Sequence, residues 1–406
     1  MLTLLTLSWR NIWRHPGRSG ALLAAIIAGL WAGCLTVGAM NGMLKQRLDY
    51  LINNEITHVQ IHHPQFSRDP YPRHAISGGD QIKSWLEQDQ RVGNFSFRTL
   101  TDGMLQSAIK TSGVRIRGID PPSETRTTRF HEHLIAGDYL EAQVRNPLIM
   151  GQSLAQSHNL DIGHRIVLVF ETLDSELTAA AFNLVGIFSS ASEHYDNANV
   201  FVRADDLKGL LGGEAIVHEI AMMLHDADQA ATVAADLNAE FTGIIAQPWH
   251  ELSPELQTLV DYGQVMLLII TIVIMLALAF GIINTMLMAI FERLHEIGML
   301  ISVGMSRVRV LAMILLESLI LTLVGALTGM ILAAVTVTWL KERGINLELF
   351  ASGLAEIGYD TIIYPFLQPG EFVLIVFVVI VVTLLASTYP AIKAIRIDPL
   401  EATKGK

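Results

Sequence analysis

The sequence predicts an α-helical membrane protein with four transmembrane helices and a large α+β domain inserted between the first and the second. Three observations carry this. Of 406 residues, 51% are hydrophobic and only 17% charged, with mean hydropathy +0.41. That is the balance of a membrane protein with a substantial water-facing part. Tyr262–Phe291 contains no Asp, Glu, Lys or Arg, and Val310–Leu340 contains only Glu317. Each run is about 30 residues, enough to cross a bilayer with some tilt. Between an earlier apolar run and Tyr262 lie about 200 residues of mixed strand and helix patterns, enough to hold a core of their own.

Taken in order, residues 1–19 read as a basic amphipathic helix. Leu2, Leu5 and Trp9 share one face, and Arg10, Arg14 and Arg18 are uncompensated by any acid, which suits an anionic membrane surface. The first span is residues 20–44. Ala21, Ala25, Gly29 and Gly33 recur every four residues, so another helix can approach closely, either within the subunit or across a dimer interface. Trp31-Ala32-Gly33-Cys34 has the look of a lipoprotein cleavage site, but Trp31 stands where an aliphatic residue belongs and the apolar run continues past Cys34. The segment is therefore expected to remain as a span.

Residues 45–261 form the water-facing insertion. Alternating residues predict strands at Glu55–His62, Ser107–Lys110, Val114–Ile119, Leu148–Met150, Arg165–Phe170, Ala181–Phe188, Val200–Val202 and Ile216–Leu224. Helical spacing predicts helices at Gly79–Gln88, Ser153–Asn159, Asp205–Leu211 and Asp226–Phe241, the last capped by Asp226 or Asp228. The histidines, His58, His62, His63, His74, His131 and His133 among them, invite a metal reading. A strand would hold His58 and His62 about 13 Å apart, too far to share an ion. Structural or surface roles are expected, with no metal bound.

The second span, residues 262–291, is followed by the charged stretch 292–306. Leu294, Ile297 and Ile301 recur at helical spacing beside Glu292, Arg293 and Glu296. This reads either as a short amphipathic helix lying flat between two spans with its apolar face open to a partner, or as an ordinary interfacial turn. Gly298 and Gly304 interrupt the stretch and Ser306 is placed to cap the next helix. The third span, 307–340, contains Glu317 about two turns inside, an expensive position for a carboxylate. It is expected to pair structurally, with an N-terminal arginine as partner, or to act in coupling. Gly325 and Gly329 form a G-x-x-x-G packing face. A loop at 341–370, the fourth span at 371–393 and a basic tail at 394–406 complete the chain. Arg and Lys cluster in the N-terminal arm, around Arg293, Arg307 and Arg309, and in the tail. With four spans all three clusters fall on one side, which the positive-inside rule makes cytoplasmic.

The composition excludes several functions. A net charge of −11 is wrong for a generic nucleic-acid binder. The single cysteine forbids an intrachain disulfide. No G-x-x-x-x-G-K-[ST] is present, so this chain is expected to bind no nucleotide of its own, and no catalytic triad or H-E-x-x-H suggests an enzyme.

One resemblance adds to this reading. Glu292, Arg293, Glu296, Ile297, Gly298, Gly304 and Ser306 match the segment linking the second and third spans in permeases of the MacB/LolC/LolE/FtsX superfamily of ABC transporters. The start around Arg10-Asn11 and Arg14 to Ser19, the phrase Leu315–Leu319 around Glu317, and the tail Tyr389, Pro390, Ala391, Ala394, Asp398, Pro399, Glu401 and Ala402 also resemble it. Phrases at His58–Pro64, Val114–Pro121 and Gly151–Ile166 are most similar to the LolC/LolE branch. The resemblance implies a porter-like periplasmic domain with an inserted lobe near residues 90–190. It implies that the 292–306 stretch is a coupling helix docking into a separate ATPase, present in two copies that bind ATP and Mg. It further implies a second permease copy, related or identical, and a periplasmic carrier or adaptor. In the Lol case an acylated lipoprotein would be lifted from the inner membrane. Peptide or toxin efflux in the manner of MacB, and regulation of a cell-wall hydrolase in the manner of FtsX, are the alternatives.

Overall fold

The structure, a computed structural model, describes residues 9, 16–66, 68–140, 144–190, 192–213, 216–350 and 361–395. Residues 1–15, apart from Trp9, and the tail beyond residue 395 lie outside the described residues. From the N-terminus the elements are α1 (Pro16–Leu51), a π-helical turn (Ile52–Ile56), β1 (Val59–His62), α2 (Gly79–Gln88), β2 (Val92–Gln106), β3 (Thr111–Ile119) and α3 (Pro121–Thr127). Then come β4 (Leu134–Gly137), β5 (Pro147–Gly151), α4 (Gln152–Ser157), β6 (Arg165–Glu171), β7 (Leu177–Phe188), α5 (Glu193–Ala198), β8 (Asn199–Arg203) and α6 (Ala204–Leu211). The order continues with β9 (Glu219–Leu224), α7 (Ala230–Glu240), β10 (Ile245–Pro248), α8 (Trp249–Leu252), α9 (Pro254–Glu292), α10 (Leu294–Ser302) and α11 (Arg307–Arg343). Last are β11 (Ile345–Asn346), β12 (Ile362–Ile363) and α12 (Pro369–Ile395). Four of these helices are long and apolar enough to cross a membrane: α1, α9, α11 and α12. The chain divides into two compact units, one built on Arg47–Thr258 and the other on the stretches to either side.

In the unit of Arg47–Thr258, ten strands run in the order β10-β1-β9-β2-β3-β8-β5-β7-β4, with β6 paired to β2 and β7. The key strand is β2, whose 15 residues change partners midway. Val92–Arg98 pairs with β9, whereas Thr99–Gln106 pairs with β3 and, from Gly103, with β6. One core therefore gathers Val59, Ile61, Ile220, Met222 and Leu237 on the β9 side. A second, on the far side, draws on residues from Leu105 to Ile216. A third small core stacks Phe130, Phe188 and Phe201, with Phe130 and Phe201 centroids 3.9 Å apart.

At the partner change sits a buried ion cluster. Arg98 is 3% exposed. Its Nε and Nη2 donate to the two oxygens of Glu124 at 3.0 and 2.6 Å, and its Nη1 donates to Glu219 at 2.5 Å. Glu219 also lies 3.1 Å from His62 Nε2. Burial pushes the Glu219 carboxyl up, but Arg98, the His62 hydrogen bond and Arg117 together hold it well below the usual carboxylate range.

Three histidines serve the fold. His218 Nδ1 accepts from Leu100 N at 3.1 Å and its Nε2 meets Pro72 O at 2.7 Å. His158 bridges Ser107 and Ser112 at 2.9 and 2.8 Å. His58 accepts from Leu224 N at 2.9 Å.

Several expectations need correction. The strand expected over Glu55–His62 begins only at Val59, because the first helix continues as a π-turn that ends at Thr57 with φ 64. Ser107–Lys110 is the turn between β2 and β3: the Ser107 hydroxyl accepts from Ile109 N and Lys110 N at 3.3 and 3.2 Å. That side-chain bonding favours a turn over a ladder. The length of β2 escapes the pattern because Asp102-Gly103 breaks its alternation. A Cβ at Gly103 would sit 2.7 Å from Val169 O, so the crossing strand admits only glycine there. The helix expected from Asp226 opens as a 3₁₀ turn, Ala227–Gln229, capped by the Asp226 carboxylate on Asp228 N.

Removing Glu219 leaves the Arg98 guanidinium buried with half its partners. Glu219→Ala is expected to cost about 3–5 kcal/mol of stability, measured by denaturant unfolding of the purified full-length protein. A loss within about 0.5 kcal/mol, the surface-substitution range, would show that the cluster does not hold the two halves of β2 together.

Candidate coupling site

The stretch between the second and third spans folds as α10. Its backbone leaves α9 at Arg293, which has φ −107 and ψ 16 and no capping side chain. The helix closes through Gly304, whose φ of +105 suits glycine and whose N–H bonds Ile301 O at 3.0 Å. Ser306 occupies the N-cap position of α11 with extended backbone, but its hydroxyl makes no cap hydrogen bond.

Two predicted docking residues face the bundle instead. Ile297 is 7% exposed and packs in one cluster with Leu22, Met286, Ile290, Val310 and Ile314. Gly298 is buried beside it. Ile301 packs partly buried against the same cluster. Leu294 is half-buried. The expectation of an open apolar face is therefore corrected for Ile297, which is buried, and for Ile301, which is partly covered; Leu294 is half-buried outside that cluster. Apolar spacing shows which residues share a face, and here the span bundle itself supplies the surface that covers it.

Arg293 also turns inward. Its Nη1 lies 3.2 Å from both carboxylate oxygens of Glu317, and its Nε lies 3.4 Å from Glu296. Both partners of the Arg293–Glu317 bridge are about 15% exposed, at 14% and 15%. The intramembrane carboxylate is thus neutralised by the first residue after α9; the N-terminal arginines expected to pair with it are not among the described side chains. A charge shared in this way is the usual means of keeping a carboxylate inside a span.

The outward side of α10 presents Glu292, His295, Met299, Leu300 and Val303. Met299 is 51% exposed and Val303 84%. Of this ridge, sequence reading named Glu292 and missed His295, Met299, Leu300 and Val303, because the apolar members fall outside the Leu294–Ile301 spacing.

The small-residue faces are filled within the chain. A Cβ at Gly29 would lie 2.7 Å from Leu278 of α9, and one at Gly33 would make ordinary contacts with Ile274 and Met275. Gly325 faces Ile26 at 2.9 Å and Gly329 faces the Ile27 backbone at 3.3 Å. Ala25 is half-buried on the same helix. A second G-x-x-x-G, Gly38 to Gly42, was also missed. The Gly38 carbonyl accepts from Phe366 N at 2.8 Å, and a Cβ at Gly42 would collide with the Tyr364 carbonyl.

Four helices long and apolar enough to cross a membrane, with a mixed domain between the first and second, describe a polytopic membrane protein. The comparisons give its class. Residues 19–240, more than half of the chain, match the MacB-like periplasmic core domain, and residues 268–399 match the FtsX-like permease C-terminal. The chain belongs to this family of permeases. It is 22% identical over 398 residues to the lipoprotein-releasing system transmembrane protein LolC of Xylella fastidiosa, covering 95% of this chain and 93% of the relative. It is 22% identical over 396 residues to LolC of Neisseria meningitidis, covering 94% and 92%. The periplasmic region of MacB from Actinobacillus actinomycetemcomitans aligns with 52% of this chain and 98% of its own, at 12% identity and TM-score 0.34.

If Ile297 belongs to the bundle, Ile297→Asp should lower the yield of folded, membrane-inserted protein and its melting temperature, since an unpaired buried charge costs several kcal/mol. Val303→Asp should change neither. Equal stability of the two variants, read by size-exclusion chromatography and thermal unfolding in detergent, would return Ile297 to the surface.

Proposed function

We propose that this chain is the permease subunit of a MacB-type ABC transporter that releases lipoproteins from the inner membrane. ATP and Mg bind a separate ATPase dimer, and a second permease copy completes the transporter. The observation that carries the reading is the exposed ridge Met299, Leu300 and Val303, flanked by Glu292 and His295, on a short helix between two spans. A soluble ATPase has no hold on buried spans and needs such a protrusion. Apolar residues can fill a groove on the ATPase while the charged flank sets register. Its push reaches α11 through the Arg293–Glu317 bridge and α9 through the direct chain connection. α1 and α9 are continuous helices of 36 and 39 residues, so each would move as a rod. Similarity to LolC over 95% of the chain supports a lipoprotein as the cargo. A periplasmic carrier would receive it.

The ridge is tested by Met299→Asp with Val303→Asp. The double variant should insert normally yet lose co-purification of the ATPase, or lose the stimulation of ATP turnover by substrate in nanodiscs. Full binding with full coupled turnover would remove the ridge as the point of contact. Release of an acylated lipoprotein to a soluble acceptor from such nanodiscs tests the cargo; ATP turnover stimulated by peptides instead would favour efflux.

The orientation, with both termini and α10 cytoplasmic, has its own test. In a Cys34→Ala background, a cysteine at Lys83 should react with an impermeant thiol reagent added from outside, and one at Ser306 should not. The reverse pattern would place α10 where no ATPase can reach it.

A further inference from the structure

The unit of Arg47–Thr258 carries an open pocket of about 380 Å³, with Glu55, Gln60, His62, Arg117, Tyr195 and Glu219 in its wall. That is the size of a small-molecule site. Its wall holds two buried atoms without a hydrogen-bond partner among the described residues, Glu55 Oε1 and His62 Nδ1. His62 is 6% exposed. Its Nε2 faces the Glu219 carboxylate, which Arg98 also binds. An ionised carboxylate only accepts, so Nε2 carries a proton toward Glu219 and Nδ1 is the ring atom left without a partner among the described residues. Glu55 Oε1 is an acceptor whenever its carboxyl is ionised, and a donor from outside the chain would satisfy it.

The same wall holds spare donors. Arg117 spends Nε on Asn199 at 2.9 Å, keeps Nη1 3.9 Å from Glu219, and stacks 5.7 Å from the Tyr195 ring centroid. Its terminal nitrogens make no hydrogen bond among the described residues. Arg115, also in the wall, uses Nε and Nη2 on Asp102 and leaves Nη1 over. A guanidinium has five N–H groups, so each arginine has capacity for an anionic group.

We propose that this pocket binds a small zwitterion bearing a primary ammonium beside an anionic oxygen group. The ammonium donates to Glu55; the anionic oxygens accept from Arg117 and Arg115. An ethanolamine phosphate and a free amino acid share this chemistry. A quaternary ammonium, with no N–H, does not. Glu55 lies in the π-turn closed by Thr57 at φ 64, a conformation that β-branched residues avoid. Strain of this kind is retained where the surroundings over-determine it, as at ligand sites.

The carboxyl of Glu55 is pushed up to about 7 by burial, against the pull of Arg47 and Arg117 and with the push of Asp196. Tyr195, His62 and Glu219 complete the titratable wall. An ammonium needs the ionised carboxylate. Binding should therefore strengthen as pH rises through about 7 and lose that dependence in Glu55→Gln.

The test is titration calorimetry of the full-length permease in phosphatidylcholine nanodiscs with O-phosphoethanolamine, β-alanine and phosphocholine. At least one primary-amine probe should bind, with phosphocholine weaker by about tenfold or more, and Glu55→Gln and Arg117→Gln should each weaken binding by about tenfold. Repeating the titration in discs containing phosphatidylethanolamine separates the sources. A loss of apparent affinity assigns the site to a bilayer headgroup, an unchanged affinity assigns it to a soluble zwitterion, and either keeps the proposal. Binding of neither amine probe, equal binding of phosphocholine, or wild-type binding by both variants overturns it. If Glu55→Gln fails to insert, Arg117→Gln alone decides.

Discussion

The water-facing unit depends on Arg98. A strand that serves two lobes must carry polar backbone and side chains through the junction where its partners change, and β2 does so at the step from Arg98 to Thr99. One carboxylate comes from β9, which pairs with the first part of β2, and the other from α3, which follows β3 in the chain. β9 cannot slip along β2 without stripping a partner from a buried guanidinium. Buried ion pairs add little net stability compared with apolar packing, but breaking one is costly. The cluster therefore acts mainly as a register device. It specifies one arrangement of the strands and penalises the slipped ones.

In the membrane unit the same logic works with different materials. Lipid offers no hydrophobic drive between helices, so close backbone approach and a few polar contacts must hold them. Gly29 and Gly33 admit α9, and Gly325 and Gly329 admit α1. Trp31 Nε1 donates to Thr336 at 3.1 Å, adding a polar tie between the same two helices, α1 and α11. The buried hydroxyls of Ser318, Thr322, Thr383 and Ser387 each return to the carbonyl four residues back in their own helix. They are satisfied without needing a neighbour. Glu317, a carboxylate inside the third span, is met by Arg293.

The spans and the inserted domain were legible because composition over 20 or more residues is a strong signal and bilayer thickness allows few alternatives. Helices such as Gly79–Gln88 were legible for the same reason at smaller scale, since Ile82 and Leu86 fall on one face. What sequence reading missed were contacts set by distant residues. The π-turn at Ile52–Ile56 has no local signature. The long β2 hides behind Asp102 and Gly103, whose meaning depends on Val169 across the ladder. The apolar residues of α10 were read correctly as a face, but nothing local says whether that face meets a partner or the chain's own bundle. Arg293 reads locally as a docking charge, because its partner Glu317 lies 24 residues on.

That inward face changes how force would enter the spans. Were Ile297 the contact with a motor, the helix would be held to the bundle only by its two connections and could flex before α9 or α11 moved. With Ile297 seated among Ile290, Val310 and Ile314, and Arg293 bonded to Glu317, α10 is fastened to both neighbouring helices. Shifting it alone would expose a buried isoleucine and separate a partly buried ion pair, each costing on the order of 1–3 kcal/mol. Moving α9, α10 and α11 together breaks neither contact. The exposed side chains of Met299 and Val303 lie outside these contacts, so the packing that fastens α10 to its neighbours does not use them.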